Sequence, residues 1–364
     1  MTVADPIFRI YRTPRTLGMG GVYTAVPQDE QVFFGNPGGF GRGEFAGGRS
    51  FGLDFTGLQV GTSSATINLI TDIRQTEGSF EDIIIKAVDY IGAPFGLGAS
   101  YFPNFAYKYF GLGILVNLDT SFKISNPSYP ELGVFASPKA VAVLGGGFPL
   151  FNKALNIGVS LKGGAITSAK ETVSAAFIGK IEDLQSAFPV VGTGPSNIFT
   201  KCLNPDANIN IYPLECRIGV WGDIGAVYNF KVKHSPSVGL SVRNIGLEGT
   251  NYGFTTDLGF ALRPKTGYVK TTLGLDFQDI LFRNSPDTDI LKRTNLGAEF
   301  EILSYRFLNI AMRTGFNQTY FSVGLGLKIG ILKLDLATYA EEIGPTAGIL
   351  PERRYILYIS VLNI

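Results

Sequence analysis

A single histidine, His234, limits the acid–base chemistry this chain can do near neutral pH. A Ser–His nucleophile would need its base there, yet Lys231-Val232-Lys233-His234-Ser235-Pro236 reads as a short solvated turn, away from any pocket. Two carboxylate pairs are better spaced. Glu299 and Glu301 stand two apart on one face of an extended strand, and Asp257 and Asp276 share a face in the same way. Arg217, Arg243, Arg263, Lys270, Arg313 and Lys328 fall on that same face, so ion pairing accounts for the carboxylates and no catalytic activity is expected. Trp221, also on that face, fills space. Cys202 and Cys216 lie within one long polar segment, which suits a disulfide in an oxidising compartment better than a metal site, and neither metal nor cofactor is expected.

The glycines of Leu17-Gly18-Met19-Gly20-Gly21-Val22-Tyr23-Thr24-Ala25 invite a dinucleotide reading. Tyr23 stands where the third glycine of that fingerprint belongs, and neither a preceding strand nor a following helix is evident, so the reading fails.

The elements that must position these residues follow from composition. The 364 residues are 45% hydrophobic and 17% charged, against about 25% charged in soluble domains, with 46 Gly, 28 Phe and 16 Tyr. A balance of 31 Lys and Arg against 30 Asp and Glu gives no polyanion-seeking field and argues against nucleic acid. The apolar fraction excludes disorder. Mean hydropathy is high at +0.19, yet no window holds the ~20 apolar residues of a membrane helix. Alternation reconciles the two. From residue 217 onward apolar and polar or small residues alternate almost without a break: Leu240, Phe260, Leu275, Phe300, Leu325 and Leu334 fall on one face, Arg243, Arg263, Glu299 and Arg313 on the other. A soluble sandwich alternates too, but carries denser Lys and Glu and fewer glycines outside. A transmembrane antiparallel β-barrel of about 14 strands accounts for the pattern better, its apolar face on lipid.

Connection lengths agree. Long ones (69–92, 121–133, 168–216, 246–252, 279–290, 344–350) alternate with short ones near Pro103-Asn104, Phe151-Asn152, 231–234, Pro264-Lys265, Ser304 and Ile331, only the connection near Asn317-Gln318 on the long side being short, as external loops alternate with periplasmic turns. Helices are expected in two external loops. In 69–92, Ser79 caps a stripe of Phe80, Ile83, Ile84, Ala87, Val88 and Ile91; in 168–216, Ala175, Ile178, Ile181, Leu184 and Phe188 form another. Ile84, Val88, Ile181 and Leu184 would then form an outer capture surface for an apolar ligand.

Residues 1–44 do not alternate. Leu17–Ala25, Asp29 and Phe33-Phe34-Gly35-Asn36-Pro37-Gly38-Gly39-Phe40 resemble the "LGMGGAYTA…D…YYNPAGL" run in the N-terminal plug of the FadL-like outer-membrane protein superfamily, which includes fatty-acid and hydrocarbon channels and PorV-type barrels. Gly38 in place of alanine and Gly35 before Asn36 depart from it. The resemblance implies a plug over 1–44 in a barrel over 45–364. It implies passive uptake of a hydrophobic small molecule, of the long-chain fatty-acid or hydrocarbon kind, past the plug and out through the wall. PorV-type members instead serve as non-transporting subunits or docking partners of another outer-membrane or secreted protein. The gate is expected at Phe33, Phe34, Asn36, Pro37, Gly38 and Phe40, with Pro37 fixing one φ and the glycines free to take positive φ. The location implied is the outer membrane of a diderm bacterium, in contact with its lipid. Met1–Pro6 lacks the basic and apolar regions of a signal peptide, which is expected to have been removed.

Overall fold

In the computed structural model, the structure describes residues 9–43, 50–75, 90–125, 131–174, 214–246, 253–283, 288–305, 307–343 and 346–361. They form one closed antiparallel barrel of 14 strands. In chain order these are β1 (Phe51–Asp54 and Leu58–Ser63), β2 (Pro94–Tyr101 and Asn104–Tyr107), β3 (Phe110–Ser125), β4 (Glu131–Leu150), β5 (Leu155–Ser174), β6 (Leu214–Asn229) and β7 (Ser237–Gly246). There follow β8 (Thr255–Leu262, extended by Lys265–Thr266), β9 (Val269–Phe277), β10 (Thr294–Ser304), β11 (Leu308–Asn317), β12 (Tyr320–Ile329), β13 (Leu332–Glu342) and β14 (Pro351–Ser360). Each strand pairs with its neighbours, and β14 closes on β1 with Ile359 opposite Leu58 and Arg354 opposite Ser63. Closure removes both sheet edges, the condition for strands to lie in lipid. Val159, Leu161, Leu240, Phe260, Phe300 and Leu325 are exposed on the outer face, while Arg243, Glu299 and Arg313 are buried inside. The apolar residues face outward, the reverse of a soluble protein, and this makes the barrel a membrane-spanning one.

Several boundaries move. The first short turn is Lys108-Tyr109, with Tyr107 opposite Phe110, and not Pro103-Asn104. Pro103 lacks an N–H and merely interrupts β2. The loop expected over 121–133 shrinks to 126–130, and that over 168–216 to 175–213, because β3 to β6 run 16 to 20 residues. At their long-loop ends the sequence alternates less strictly and the period-2 signal fades. One helix of the first external loop is α1, Ser64–Gln75; the helix expected from Ser79 lies outside the described residues. Ile84, Val88, Ile181 and Leu184 lie outside the described residues, as does the plug boundary at 44.

Inside the barrel, residues 17–41 run around the inner wall in reverse strand order. Leu17 packs on Ala337, Tyr339 and Ile356 of β13 and β14. Gly18 lies on Gly324 of β12, Met19 on Gly297 of β10, Val22 on Gly274 of β9, Thr24 on Gly259 of β8 and Gly239 of β7. Pro37 then lies on Gly158 of β5 and Gly41 on Gly147 of β4. A Cβ on any of these wall glycines would strike the N-terminal backbone or side chains, so the glycines of the inner face are a track for this segment. Gly20 and Gly21 take positive φ (67° and 93°) where the track begins to turn.

Candidate functional site

Asn36 occupies the N-cap of a short 3-10 helix, Pro37–Arg42, and its side-chain oxygen accepts from Gly38 N at 2.9 Å. Its amide nitrogen donates to Thr24 O at 2.6 Å and to Ala226 O of β6 at 3.2 Å, clamping the segment to itself and to the wall. Gly38 and Gly39 lie in that helix and do not take the expected positive φ. Close packing is what they provide, Gly38 against the Ala226 backbone and Gly39 against Val32 and Pro27. Gly35 sits against the Tyr23 ring, so both departures from the family run fill spaces that admit no larger residue.

Phe33, Phe34 and Phe40, all buried, come together as the sequence suggested. They form one cluster with Phe102 of β2 and Tyr11: Phe33–Phe40 at 5.2 Å, Phe34–Phe102 at 5.1 Å, Tyr11–Phe34 at 5.7 Å and Tyr11–Phe102 at 5.5 Å between centroids. Tilted and edge-on pairs of this kind hold by quadrupole as well as by burial. Trp221 of β6 joins the same apolar core. Sequence reasoning missed Tyr11 and Phe102. The available signal was the proline after Phe102, which breaks a strand.

Above this cluster, toward the long loops, a cavity of about 1260 Å³ opens inside the barrel. Ile10, Tyr11 and Leu17 contribute to its lining, with residues of β1 to β4, β13 and β14 around them. Its walls are amphipathic. Phe135, Ile245, Phe254 and Leu281 line it together with Gln59, Ser100, Asn117 and Ser137, and the ionic groups pair, Lys139 with Asp119 at 2.8 Å and both Arg12 and Arg354 with Glu341. At the cluster's level the wall is discontinuous. Asp54 faces Asn104 and Leu58 faces Tyr101, so residues 55–57 of β1 are set against only Phe102 and Pro103 of β2, and the bulge is spanned by bonds from Phe102 N to Gly57 O (3.3 Å) and from the Tyr101 hydroxyl to Phe55 O (2.7 Å). The strands pair above and below it.

The expected carboxylates hold the N-terminal segment. Asp276 accepts from Tyr23 N, Thr24 N and the Thr24 hydroxyl, each at 2.8 Å, and Asp257 accepts from the Tyr23 hydroxyl at 2.7 Å and from Arg243. Arg15 grips Glu299 through two bonds of 2.7 and 2.8 Å. Glu299 passes to Arg313 (2.8 Å), Arg313 to Asp335 (2.6 Å), Asp335 to Lys333 (3.7 Å) and Lys333 to Glu30 (2.8 Å). This alternating chain begins and ends in the N-terminal segment. The ion pairs foreseen across a wet lumen are thus buried against protein. Among the described residues Glu301 pairs with Lys270, at 4.0 Å, and His234 is exposed in its turn. Cys216 lies near the start of β6; Cys202 lies outside the described residues.

No protein-family model matches the chain, and no curated protein matches its sequence. Among solved structures it is similar to the TodX deltaS2S3 mutant monoaromatic hydrocarbon channel, at 10% identity and TM-score 0.48, covering 95% of this chain and 96% of that one. It is similar to the CymD monoaromatic hydrocarbon channel at 12% identity and TM-score 0.42, with the same coverage. A likeness to CdiB from Acinetobacter baumannii, at 11% identity and TM-score 0.35, covers 87% of this chain and 60% of that one. Two of these three are monoaromatic hydrocarbon channels.

Proposed function

We propose that this barrel sits in the outer membrane of a diderm bacterium and lets small hydrophobic molecules pass inward without an energy source. The observation that carries this is the position of the five-ring cluster between the cavity and the bulge in the wall. A molecule entering from the long-loop side meets Tyr11, and displacing Tyr11 and Phe34 from Phe102 leads toward residues 55–57 and 102–103 and then to lipid. Phe33, Phe34, Asn36, Pro37, Gly38 and Phe40 act as the gate. Ile84, Val88, Ile181 and Leu184 are the outer capture surface in this reading. A folded variant carrying Phe34→Ala and Asn36→Ala should take up a hydrophobic fluorescent probe differently from wild type, with uptake reduced in proteoliposomes or cells.

A second reading has its own support. The ion-pair chain from Arg15 to Glu30 fixes the segment at two points, as suits a permanently closed barrel that serves another outer-membrane or secreted protein as a subunit. Absence of uptake in wild type, or equal uptake in the variant, would favour it.

A further inference from the structure

The short turns of the barrel differ in charge from its long loops. Residues 107–110, 150–155, 229–237, 262–270, 304–308 and 329–332, which make the turns and their flanks, contain no Asp or Glu, yet they include Lys108, Lys153, Lys231, Lys233, Lys265 and Arg306. The first external connection, 64–93, has the opposite sign, with Asp72, Glu77, Glu81, Asp82 and Asp89 against Arg74 and Lys86. Lys108, Lys153, Lys231 and Lys233 are exposed on three consecutive turns. Lys108, Lys231 and Lys233 have no carboxylate partner among the described residues, and Lys108 lies over the Tyr107 ring at 5.3 Å. Basic residues at this end that serve the fold are used differently: Arg263 bonds Ser237 and Lys333 bonds Glu30, both inside.

The same turns carry solvent-facing apolar side chains. Phe151 is 74% exposed, Val232 62% and Phe307 71%, and Tyr268 is fully exposed. On a soluble surface such tips would be costly. Here they continue the outward row of Phe110, Phe148, Tyr228 and Phe230, which already faces lipid. Aromatic rings favour the boundary between acyl chains and headgroups, and a lysine one or two residues away then reaches the phosphates.

We infer that the short-turn rim binds anionic phospholipid headgroups of the leaflet at that end, with the aromatic and aliphatic tips at the acyl boundary and Lys108, Lys153, Lys231 and Lys233 on the phosphates. Charge complementarity and continuity with the lipid-facing band both select lipid as the occupant. The inference holds whether or not the barrel transports.

The test is lipid selectivity in the shell around the barrel, read by spin-labelled phosphatidylglycerol and phosphatidylcholine in phosphatidylcholine vesicles. Phosphatidylglycerol should be enriched by at least about five-fold, the factor one lysine supplies at such a surface. Enrichment should fall toward one at high salt and in Lys108→Gln/Lys153→Gln/Lys231→Gln/Lys233→Gln, and persist in Arg74→Gln at the opposite end. Should the quadruple variant not fold, Lys231→Gln/Lys233→Gln should show an intermediate loss. Equal shell occupancy in wild type overturns the inference, and so does selectivity that survives the lysine variants. Retention of a polyglutamate probe by the purified barrel without any lipid preference would assign the rim to an acidic protein partner and overturn it as well.

Discussion

Glu299 shows how a residue's chemistry is decided by what faces it. Read along the strand, Glu299 and Glu301 form a pair fit for acid–base work; in the folded barrel they part, one buried between two guanidiniums and the other at a half-open rim. The sign was legible, since Arg313 sits on the adjacent strand, but Arg15 arrives from nearly 300 residues away and no strand pattern announces it. Removing one member of a buried, hydrogen-bonded ion group strands its partners in low dielectric. Glu299→Gln should therefore cost roughly 3–5 kcal/mol. The more exposed Lys270–Glu301 pair, spaced 4.0 Å apart, is a fair control, and Lys270→Gln should cost under about 1 kcal/mol. Urea unfolding of both variants in detergent micelles measures the difference, and equal losses would mean that the Arg15–Glu30 chain does not hold the segment.

At the scale of elements, the wall and the N-terminal segment are fitted backbone to backbone. Inward glycines read in the sequence as the small residues of a crowded lumen, and the lumen is crowded, by residues 17–41. Had their positions been mapped onto successive strands, the track would have been visible before the structure. Its consequence is a graded sensitivity. A methyl group at Gly297 strikes the Met19 carbonyl, whereas one at Gly163 of β5 meets its nearest atom, Val220 Cγ2, at 3.8 Å. Gly297→Ala should destabilise by about 1–3 kcal/mol, with Gly163→Ala close to neutral, both read from the temperature at which the folded band is lost on a gel. A different constraint is expected in the loop joining β5 to β6. Bonded Cys202 and Cys216 would close a short ring and contribute up to ~3 kcal/mol, mostly to the order of that loop. Mass spectrometry without reductant should find no free thiol, and two free thiols would remove the disulfide.

Taken whole, the molecule is a barrel whose strand number, closure and outward face were legible because lipid demands strict alternation in every strand. What escaped the sequence lies where that demand lapses. The long-loop ends of β3 to β6 lose their periodicity. Pro103 breaks β2 without ending it, and the N-terminal segment answers to the shape of a lumen that no local pattern encodes. The segment's packing inside the lumen is a property of the whole molecule. It lies along the inner wall from β14 round to β4, and its own polar groups bond Asp257, Asp276 and Glu299. Without it those carboxylates would need water, and a barrel of 14 strands is wide enough to admit it. Deleting residues 1–43 should therefore convert a barrel that is electrically silent in a planar bilayer into one that passes ions in discrete steps, with the polar, glycine-lined inner face as the pore. Gly297→Ala, which pushes on the seal without removing it, should give brief and infrequent openings. A silent deletion variant with the strand content of wild type would show that the loops close the lumen by themselves, and would move the gate from Phe34 and Asn36 to the long-loop end.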